Sequence, residues 1–415
     1  MTWTPGDTVK RGKRGNVTVV TVSPGRQRAA LDRRSIVCAA GDTGTNTGSG
    51  EMRQGIRYGK GEFHRVLRER VNQRLAEEGR TFRGGARAWL TCAPAVVWFY
   101  GSFVALLVVP THPVLIVTLT VSLGLATTAC LTIVQHDALH QAISRRRWVN
   151  WAAAYVGAPA GVSWRWWTAK HSGGHHAYTN VEGHDGDLTQ SALIRLTPNQ
   201  RWRPIHRYQH RYVWGLYALL AVSIQFTGDR EFIVHGRLKG HPVAAASARR
   251  TAVLAFEKLV GLALLLTIAA LVHPSAWLLP AYVLWWGVTG FTLAAVFGVT
   301  HYVDTSQFPQ PDASGMVADE WAVTQVVGST NIRIRNRVIR WYFGGVANHI
   351  EHHLFPRMSH VHYPLIAPVV RATCKEFGVP YHEAPSLGAV YGSHVRFLEQ
   401  LGRPEAALDP TFATA

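Results

Sequence analysis

His171-Ser172-Gly173-Gly174-His175-His176-Ala177-Tyr178-Thr179-Asn180 places three imidazoles within six residues, directly after a tryptophan-rich run that holds Trp164, Trp166 and Trp167. On a helix, positions i, i+3 and i+4 share a face, so this spacing aims His171 and His175 at one point with His176 beside them. Two further clusters repeat the device. His136 and His140 lie four apart in His136-Asp137-Ala138-Leu139-His140, and His349, His352 and His353 occupy i, i+3 and i+4 in Asn348-His349-Ile350-Glu351-His352-His353. Eight clustered histidines exceed what one metal needs, since a structural zinc takes four ligands and a catalytic zinc three plus water. Two metals are the natural count. Imidazole suits Zn, Cu, Fe and Ni, so ligand type alone leaves the metal open. The paired Glu-x-x-His of carboxylate-bridged bundles is absent, as is His-Glu-x-x-His, because Glu351 lies between His349 and His352 in another order.

Outside the clusters the chain is apolar: charged residues make up 16% of its 415 positions and Trp numbers 15. Segments 88 to 109, 114 to 134, 252 to 272 and 276 to 300 are each long enough, at about 1.5 Å per residue, to cross about 30 Å of hydrocarbon. They pair into two hairpins whose connectors, Pro110-Thr111-His112-Pro113 and His273-Pro274-Ser275, carry no Lys, Arg, Asp or Glu. The formal charge of +18 therefore falls on the opposite side, the cytoplasm by the positive-inside rule. Two hairpins return the chain to that side twice, so all three histidine clusters reach one face. The expected fold is an all-α integral protein of the cytoplasmic membrane: four transmembrane helices in two hairpins, under a cytoplasmic helical cap that carries the histidine-rich site. Nucleic acid is not an expected partner, because the basic residues flank apolar spans and no nucleic-acid motif accompanies them. Cys38, Cys92, Cys130 and Cys374 lie far apart without a Cys-x-x-Cys, which suits a reducing cytoplasm.

Four regions follow from composition. Residues 1–51, rich in Gly, Thr, Ser and Arg and without the apolar core of a signal peptide, read as a disordered basic segment. Residues 52–87 hold an amphipathic helix over 61–79, carrying Phe63, Val66, Leu67, Val71 and Leu75 and ended by Gly79, expected on the membrane surface. Residues 88–385 form the membrane domain and 386–415 a C-terminal tail. Segments 151–162 and 212–226 are apolar but too short to span and are expected in the interface. Asp137, Asp185, Asp187 and Glu351 are expected to accept the outward ring N–H of ligating histidines. His301, closing the fourth apolar run in Gly298-Val299-Thr300-His301, lies at the depth of the site.

In this order around two apolar hairpins, His-Asp-x-x-His, His-x-x-x-His-His and His-x-x-His-His resemble the membrane-bound fatty acid desaturases and their hydroxylase relatives. The likeness runs from about Phe63 to Tyr381, and His175-His176-Ala177-Tyr178-Thr179-Asn180 with Gly183 and Asp185 looks like the acyl-lipid and linoleoyl-type branch. The resemblance implies a non-haem centre of two Fe ions that activates O₂ and removes two hydrogens from an acyl chain. It maps metal ligands onto His136, His140, His171, His175, His176, His349, His352 and His353, adds His301 after the fourth span, and sets Asn180 with Asp137, Asp185 and Glu351 around them. The implied substrate is a fatty acyl group on a lipid, CoA or carrier protein. No fused b-type cytochrome motif is present, so electrons are expected from a separate ferredoxin or small b-type cytochrome with its reductase. A hydroxylase or acetylenase shares the ligands. A metal transporter is the alternative of another class, although its histidines belong inside the spans; a membrane zinc hydrolase is disfavoured by ligand count.

Overall fold

A computed structural model describes residues 56–108, 112–156, 158, 162–188, 192–224, 230–238, 241–242, 248–272 and 276–404. The expected disordered segment, 1–51, lies outside them. The described chain is mostly helical. Strand β1 (Arg57–Gly59) leads into α1 (Phe63–Glu77), and the apolar chain then enters α2 (Gly85–Val108) and α3 (Pro113–Ala129). Pro113 opens α3, where a missing N–H costs nothing and the fixed φ suits a helix. A wide π turn, Cys130–Gln135, carries the same rod into α4 (His136–Leu139). Helix α5 (Arg147–Tyr155) and α6 (Trp164–Trp167) follow, and a second π segment spans Thr168–His175. Then come α7 (Gln209–Ala218), α8 (Leu220–Ser223), α9 (Arg230–His235), the hairpin of β2 (Arg237–Leu238) and β3 (His241–Pro242), and α10 (Ala248–Val272). The last apolar helix is α11 (Leu278–Phe297). Beyond it lie β4 (Met316–Glu320), α12 (Trp321–Val327), β5 (Asn331–Ile332), α13 (Arg337–Phe343), α14 (His349–Leu354), α15 (Tyr363–Glu376), β6 (Glu383–Ala384) and α16 (Leu387–Leu401).

Among the described residues, three helical segments are long and apolar enough to cross a membrane: Gly85–Val108, Pro113–Leu139 and Leu278–Thr300. They match the first, second and fourth expected segments, and the third, 252–272, lies within α10. The three pack through Ala88, Cys92, Ala95 and Phe99 of α2, Leu123, Ala126 and Ala129 of α3, and Trp285 and Trp286 of α11. Their outer faces leave Leu90, Val97, Val104, Val114, Leu115, Leu279 and Val283 exposed, a surface suited to lipid. Two glycines set the approach distances. A Cβ on Gly124 would stand 2.7 Å from the Val288 side chain, and one on Gly290 would stand 2.6 Å from the Ala218 carbonyl oxygen, so α11 lies hard against both α3 and α7. Apolar side chains alone have little reason to leave lipid for each other, and hydrogen bonds supply specificity. Trp98 Nε1 donates to Ser122 Oγ at 3.0 Å, Trp285 Nε1 to Thr127 Oγ1 at 2.8 Å, and the Thr128 and Thr292 hydroxyls meet at 2.7 Å.

Helix α1 corrects the sequence reading. Its stripe of Phe63, Leu67, Val71 and Leu75 is buried, but against Ala322 and Val326 of α12, Ile350 and Leu354 of α14, and Ile366, Val370 and Cys374 of α15. Protein covers that face, not lipid, and each such side chain contributes about 1.5–3 kcal/mol by leaving water. The Glu320 carboxylate accepts from the amides of Phe63 (3.2 Å) and His64 (2.9 Å), satisfying donors the helix start leaves open. The parallel pair β1–β4 brings Glu320 there. Past residue 385, where a tail was expected, Ser386 caps α16, and Val390, His394, Phe397, Leu398 and Leu401 are buried. Phe397, Leu398 and Leu401 join Val213 of α7 and Phe308 in one apolar core, and Val390 packs with Val296, Ile332 and Phe343 in another.

Candidate metal centre

Nine buried histidines converge below the ends of the spans. α4 and its C-cap bring His136 and His140, the second π segment brings His171, His175 and, just after it, His176, and α14 brings His349, His352 and His353. A short 3₁₀ turn, Gly298–Thr300, turns the end of α11 so that His301 enters the same space. These are the nine positions expected to ligate metal. The π geometry was not foreseen. In a wide turn the amide reaches back five residues, as His176 N does to the His171 carbonyl at 2.9 Å, and the adjacent His175 and His176 then straddle the metal-facing direction. Gly173 and Gly174 inside the segment are its trace in the sequence.

The imidazole nitrogens form two groups of four, His136, His140, His171 and His352, and His175, His301, His349 and His353, each with its donor atoms within 4.8 Å of one another. A third group, His176 with His352 and His353, joins the two. In the first, the Nε2 atoms of His136 and His171 are 2.9 Å apart. In the second, His301 Nε2 is the hub, 2.7 Å from His349 Nε2, 3.1 Å from His175 Nε2 and 3.2 Å from His353 Nε2. Nitrogens bound to one tetrahedral ion at about 2.0–2.1 Å lie about 3.3 Å apart, close to these spacings. Moreover, the Nε2 atoms of His140 and His352 are buried without a hydrogen-bond partner among the described residues. A cation satisfies inward lone pairs that protein leaves unmatched, so the donor set fits metal.

Protonation state agrees. Burial holds His140, His171, His176, His349, His352 and His353 well below the usual imidazole range, and pulls His301 down to about 3, so these rings are neutral and their lone pairs free near pH 7. His175 differs: burial pulls it down, but the charges of Asp185 and Asp187 outweigh this and raise it.

Outward ring nitrogens fix the tautomers. His175 Nδ1–H donates to Asp185 at 2.9 Å, with Asp187 at 3.6 Å. His301 Nδ1–H donates to the Gly328 carbonyl at 2.8 Å, and His353 Nδ1–H to Gln325 Oε1 at 3.0 Å. His352 Nδ1–H meets the Tyr363 hydroxyl at 3.2 Å, which itself donates to the Met358 carbonyl. Each such bond leaves Nε2 unprotonated and turned inward. Asn180, held at φ +59°, acts one step further out: its amide donates to Asp185 at 2.8 Å, and its Nδ2 to the carbonyls of Gly328 (3.1 Å) and Gln307 (3.0 Å).

Asp137 and Glu351 depart from expectation, since neither accepts from one of the nine imidazoles. Asp137 accepts from His360 Nδ1 (2.8 Å) and Ser359 Oγ (3.1 Å), and Glu351 from Asn331 Nδ2 (2.8 Å) and the Tyr381 hydroxyl (2.9 Å). The cause is helical phase. A residue one or two positions along from a ligand points about 100–200° away from it, so these carboxylates anchor the backs of α4 and α14. Gln325, Gly328 and Tyr363 are the partners that pattern reading missed. Gln325 had one visible trace, a buried polar side chain within the apolar run of α12.

Comparison with known proteins gives this geometry a context. The fatty acid desaturase family profile matches residues 110–385. The chain is 31% identical to the sn-1 linoleoyl-lipid 6-desaturase of Synechocystis sp. over 348 residues, 82% of this chain and 96% of that protein. It is 29% identical to the enzyme of the same name from Arthrospira platensis over 79% of this chain and 89% of that one. It is 33% identical to the acyl-lipid (8-3)-desaturase of Physcomitrium patens over 66% of this chain and 58% of that protein. With its three histidine clusters closing on one buried site beneath apolar helices, the chain belongs to the fatty acid desaturase family and is an oxidoreductase of fatty acyl desaturation.

Proposed function

We propose that the chain introduces a double bond into the acyl group of a membrane lipid at a centre of two iron ions, using O₂ and two electrons from a separate redox protein. The reaction balances as O₂ + 2 e⁻ + 2 H⁺ + –CH₂–CH₂– → –CH=CH– + 2 H₂O. The observation that carries this reading is the double cluster: two four-imidazole groups, joined through His176, within one buried volume. The relatives named as linoleoyl-lipid and acyl-lipid desaturases support a lipid-borne acyl substrate.

His136, His140, His171 and His352 would hold one ion and His175, His301, His349 and His353 the other, with His176 between them. Bound iron supplies the oxidising power for removing hydrogen from an unactivated methylene. The chain's own contribution is position and dryness. Gln325, Gly328, Asp185 and Tyr363 hold four of the imidazoles in the tautomer that points Nε2 inward. Burial keeps water from the site, so a reactive centre is spent on the acyl chain and not on solvent. In this reading the chain crosses the cytoplasmic membrane four times, with α10 as the third span, and the site lies on the cytoplasmic face, where the basic residues collect.

Fatty-acid profiling by mass spectrometry tests it, in cells expressing the chain with a ferredoxin and its reductase, against a His352→Ala control. A new acyl species lighter by two hydrogens and absent from the control is expected. A species heavier by one oxygen would assign a hydroxylase instead, and a purified protein holding zinc in place of iron would overturn the oxidative reading.

A further inference from the structure

Five arginines come from three segments stitched together beside the first imidazole group. Arg80, Arg83 and Arg87 lie before and within the start of α2, Arg145 between α4 and α5, and Arg357 between α14 and α15. Gly84 N donates to the Ala142 carbonyl at 3.4 Å, Ser359 N to the Phe82 carbonyl at 2.8 Å, Arg83 Nη1 to the Arg357 carbonyl at 2.8 Å, and His362 Nε2 to the Arg83 carbonyl at 3.1 Å. Arg87, Arg145 and Arg357 are exposed, and Arg80 and Arg83 are half-buried. Among the described residues no carboxylate pairs with Arg83, Arg87, Arg145 or Arg357; Arg80 reaches Glu78 only at 3.9 Å. The charges are close enough to act on one another. Burial, then Arg357 and Arg145, lower the Arg83 pKa.

The patch has a direct line inward. Two residues from Arg357, Ser359 Oγ donates to Asp137 Oδ2, as does His360 Nδ1. Asp137 is covalently next to His136 and three residues from His140. From Arg357 to the His136 ring the path runs through the backbone of Met358, the Ser359 side chain, one hydrogen bond, the Asp137 side chain and one peptide unit. Like charges gathered without counter-charge cost stability by self-repulsion and draw an anionic partner.

Resting on the function proposed above, we infer that this arginine patch, Arg80, Arg83, Arg87, Arg145 and Arg357, is the docking surface for a small acidic one-electron redox protein, and that Ser359, His360 and Asp137 connect it to the centre. Each turnover needs two electrons, so the carrier docks twice, losing one electron each time, and the two electrons complete the reduction of O₂ to water. A lipid phosphate would also suit the charge, because the patch borders the ends of two spans. The inward path through Asp137 favours an electron carrier, since a headgroup has no use for it.

The test uses the full-length, iron-loaded protein in nanodiscs, with reduced plant-type ferredoxin as the acidic carrier. The Arg145→Glu/Arg357→Glu double variant should raise the ferredoxin KM about tenfold or more and flatten its dependence on salt, whereas Arg145→Lys/Arg357→Lys stays within about threefold of wild type. Iron content and the rates of reduction by dithionite, an anion, and by reduced methyl viologen, a cation, separate the dock from the centre. An unchanged ferredoxin KM overturns the proposal. So does an equal loss with both small reductants, or a loss seen only in phosphatidylglycerol discs and not in phosphatidylcholine, which would make the patch a headgroup site. A wild-type protein that holds iron but that no reductant reduces would overturn the function reading, and this surface with it.

Discussion

Replacing Gln325 by Leu keeps the volume of α12's buried polar side chain and deletes its acceptor. Gln325 Oε1 accepts two bonds, from His353 Nδ1 at 3.0 Å and from the Thr179 hydroxyl at 2.7 Å, and the residue is fully buried. Each donor left unmatched costs about 1–3 kcal/mol. The Thr179 hydroxyl can turn to the His175 carbonyl, 2.9 Å away, so its share falls at the low end. His353 keeps only the longer contact from Nδ1 to the Thr179 hydroxyl, 3.2 Å, in place of the Gln325 bond; with that weaker hold its ring can rotate or change tautomer, and Nε2 then leaves the His301 group. Loss of an outer partner typically weakens metal binding about 10–100-fold, or about 1.4–2.7 kcal/mol. The assay is chelator competition on the iron-loaded protein, followed by Mössbauer spectroscopy of ⁵⁷Fe. One ion should leave first, from the group that contains His353, while the other is retained. Gln325→Glu, which still accepts both bonds, should hold both ions. A Gln325→Leu protein that retains two ions with unaltered spectra would refute the reasoning.

His301→Ala removes the hub of the second group, and metal analysis should fall from about two ions per chain to about one, with protein yield retained. Leu67→Ala opens a cavity under α1, and thermal unfolding in detergent should register a loss of about 2–5 kcal/mol; a negligible change would mean that α1 is not packed as described. Burial, against an opposing hydrogen bond with the Tyr302 carbonyl, lowers His394 from 6.5 to about 4. The unfolded chain takes up that proton first as pH falls, so this stabilisation is complete above pH about 6.5 and is lost toward pH about 4, roughly 3 kcal/mol in all. The melting temperature of a His394→Gln protein should accordingly fall less steeply than wild type over that interval.

The histidine clusters were legible because imidazole is scarce and its spacing is chemically meaningful; nine positions in four separate stretches were named and they meet. What surrounds them was less legible, for reasons specific to each residue. Asp137 and Glu351 sit beside the clustered histidines in sequence and behind them in space, whereas Gln325 and Tyr363 touch those rings from segments with no pattern of their own. For α1, periodicity revealed one apolar face and was silent on what covers it; lipid and the α12, α14 and α15 side chains satisfy the same stripe. In α16, Val390, Phe397, Leu398 and Leu401 lie in a short amphipathic segment among polar neighbours, and only the facing side chains, Val213 of α7, Phe308, Val296 and Phe343, show that it packs. The π turns before His136 and through His171 are backbone choices, marked at most by Gly173 and Gly174. Of the four apolar segments, those in α2, in α3 with its extension and in α11 form helices long and apolar enough to cross a membrane among the described residues.

Asn180 is a shared pivot one hydrogen bond removed from two imidazoles. Its amide fixes the carboxylate that orients His175, and its side chain fixes the carbonyl that orients His301. Those two rings belong to one group, with 3.1 Å between their Nε2 atoms. A displacement of Asn180 therefore moves both in the same sense: their separation is conserved while their bearing on His349 and His353 changes. Were an ion held by this group, a shift of Asn180 would turn the two rings as one body, a softer distortion for the ion than the separate loss of either ring.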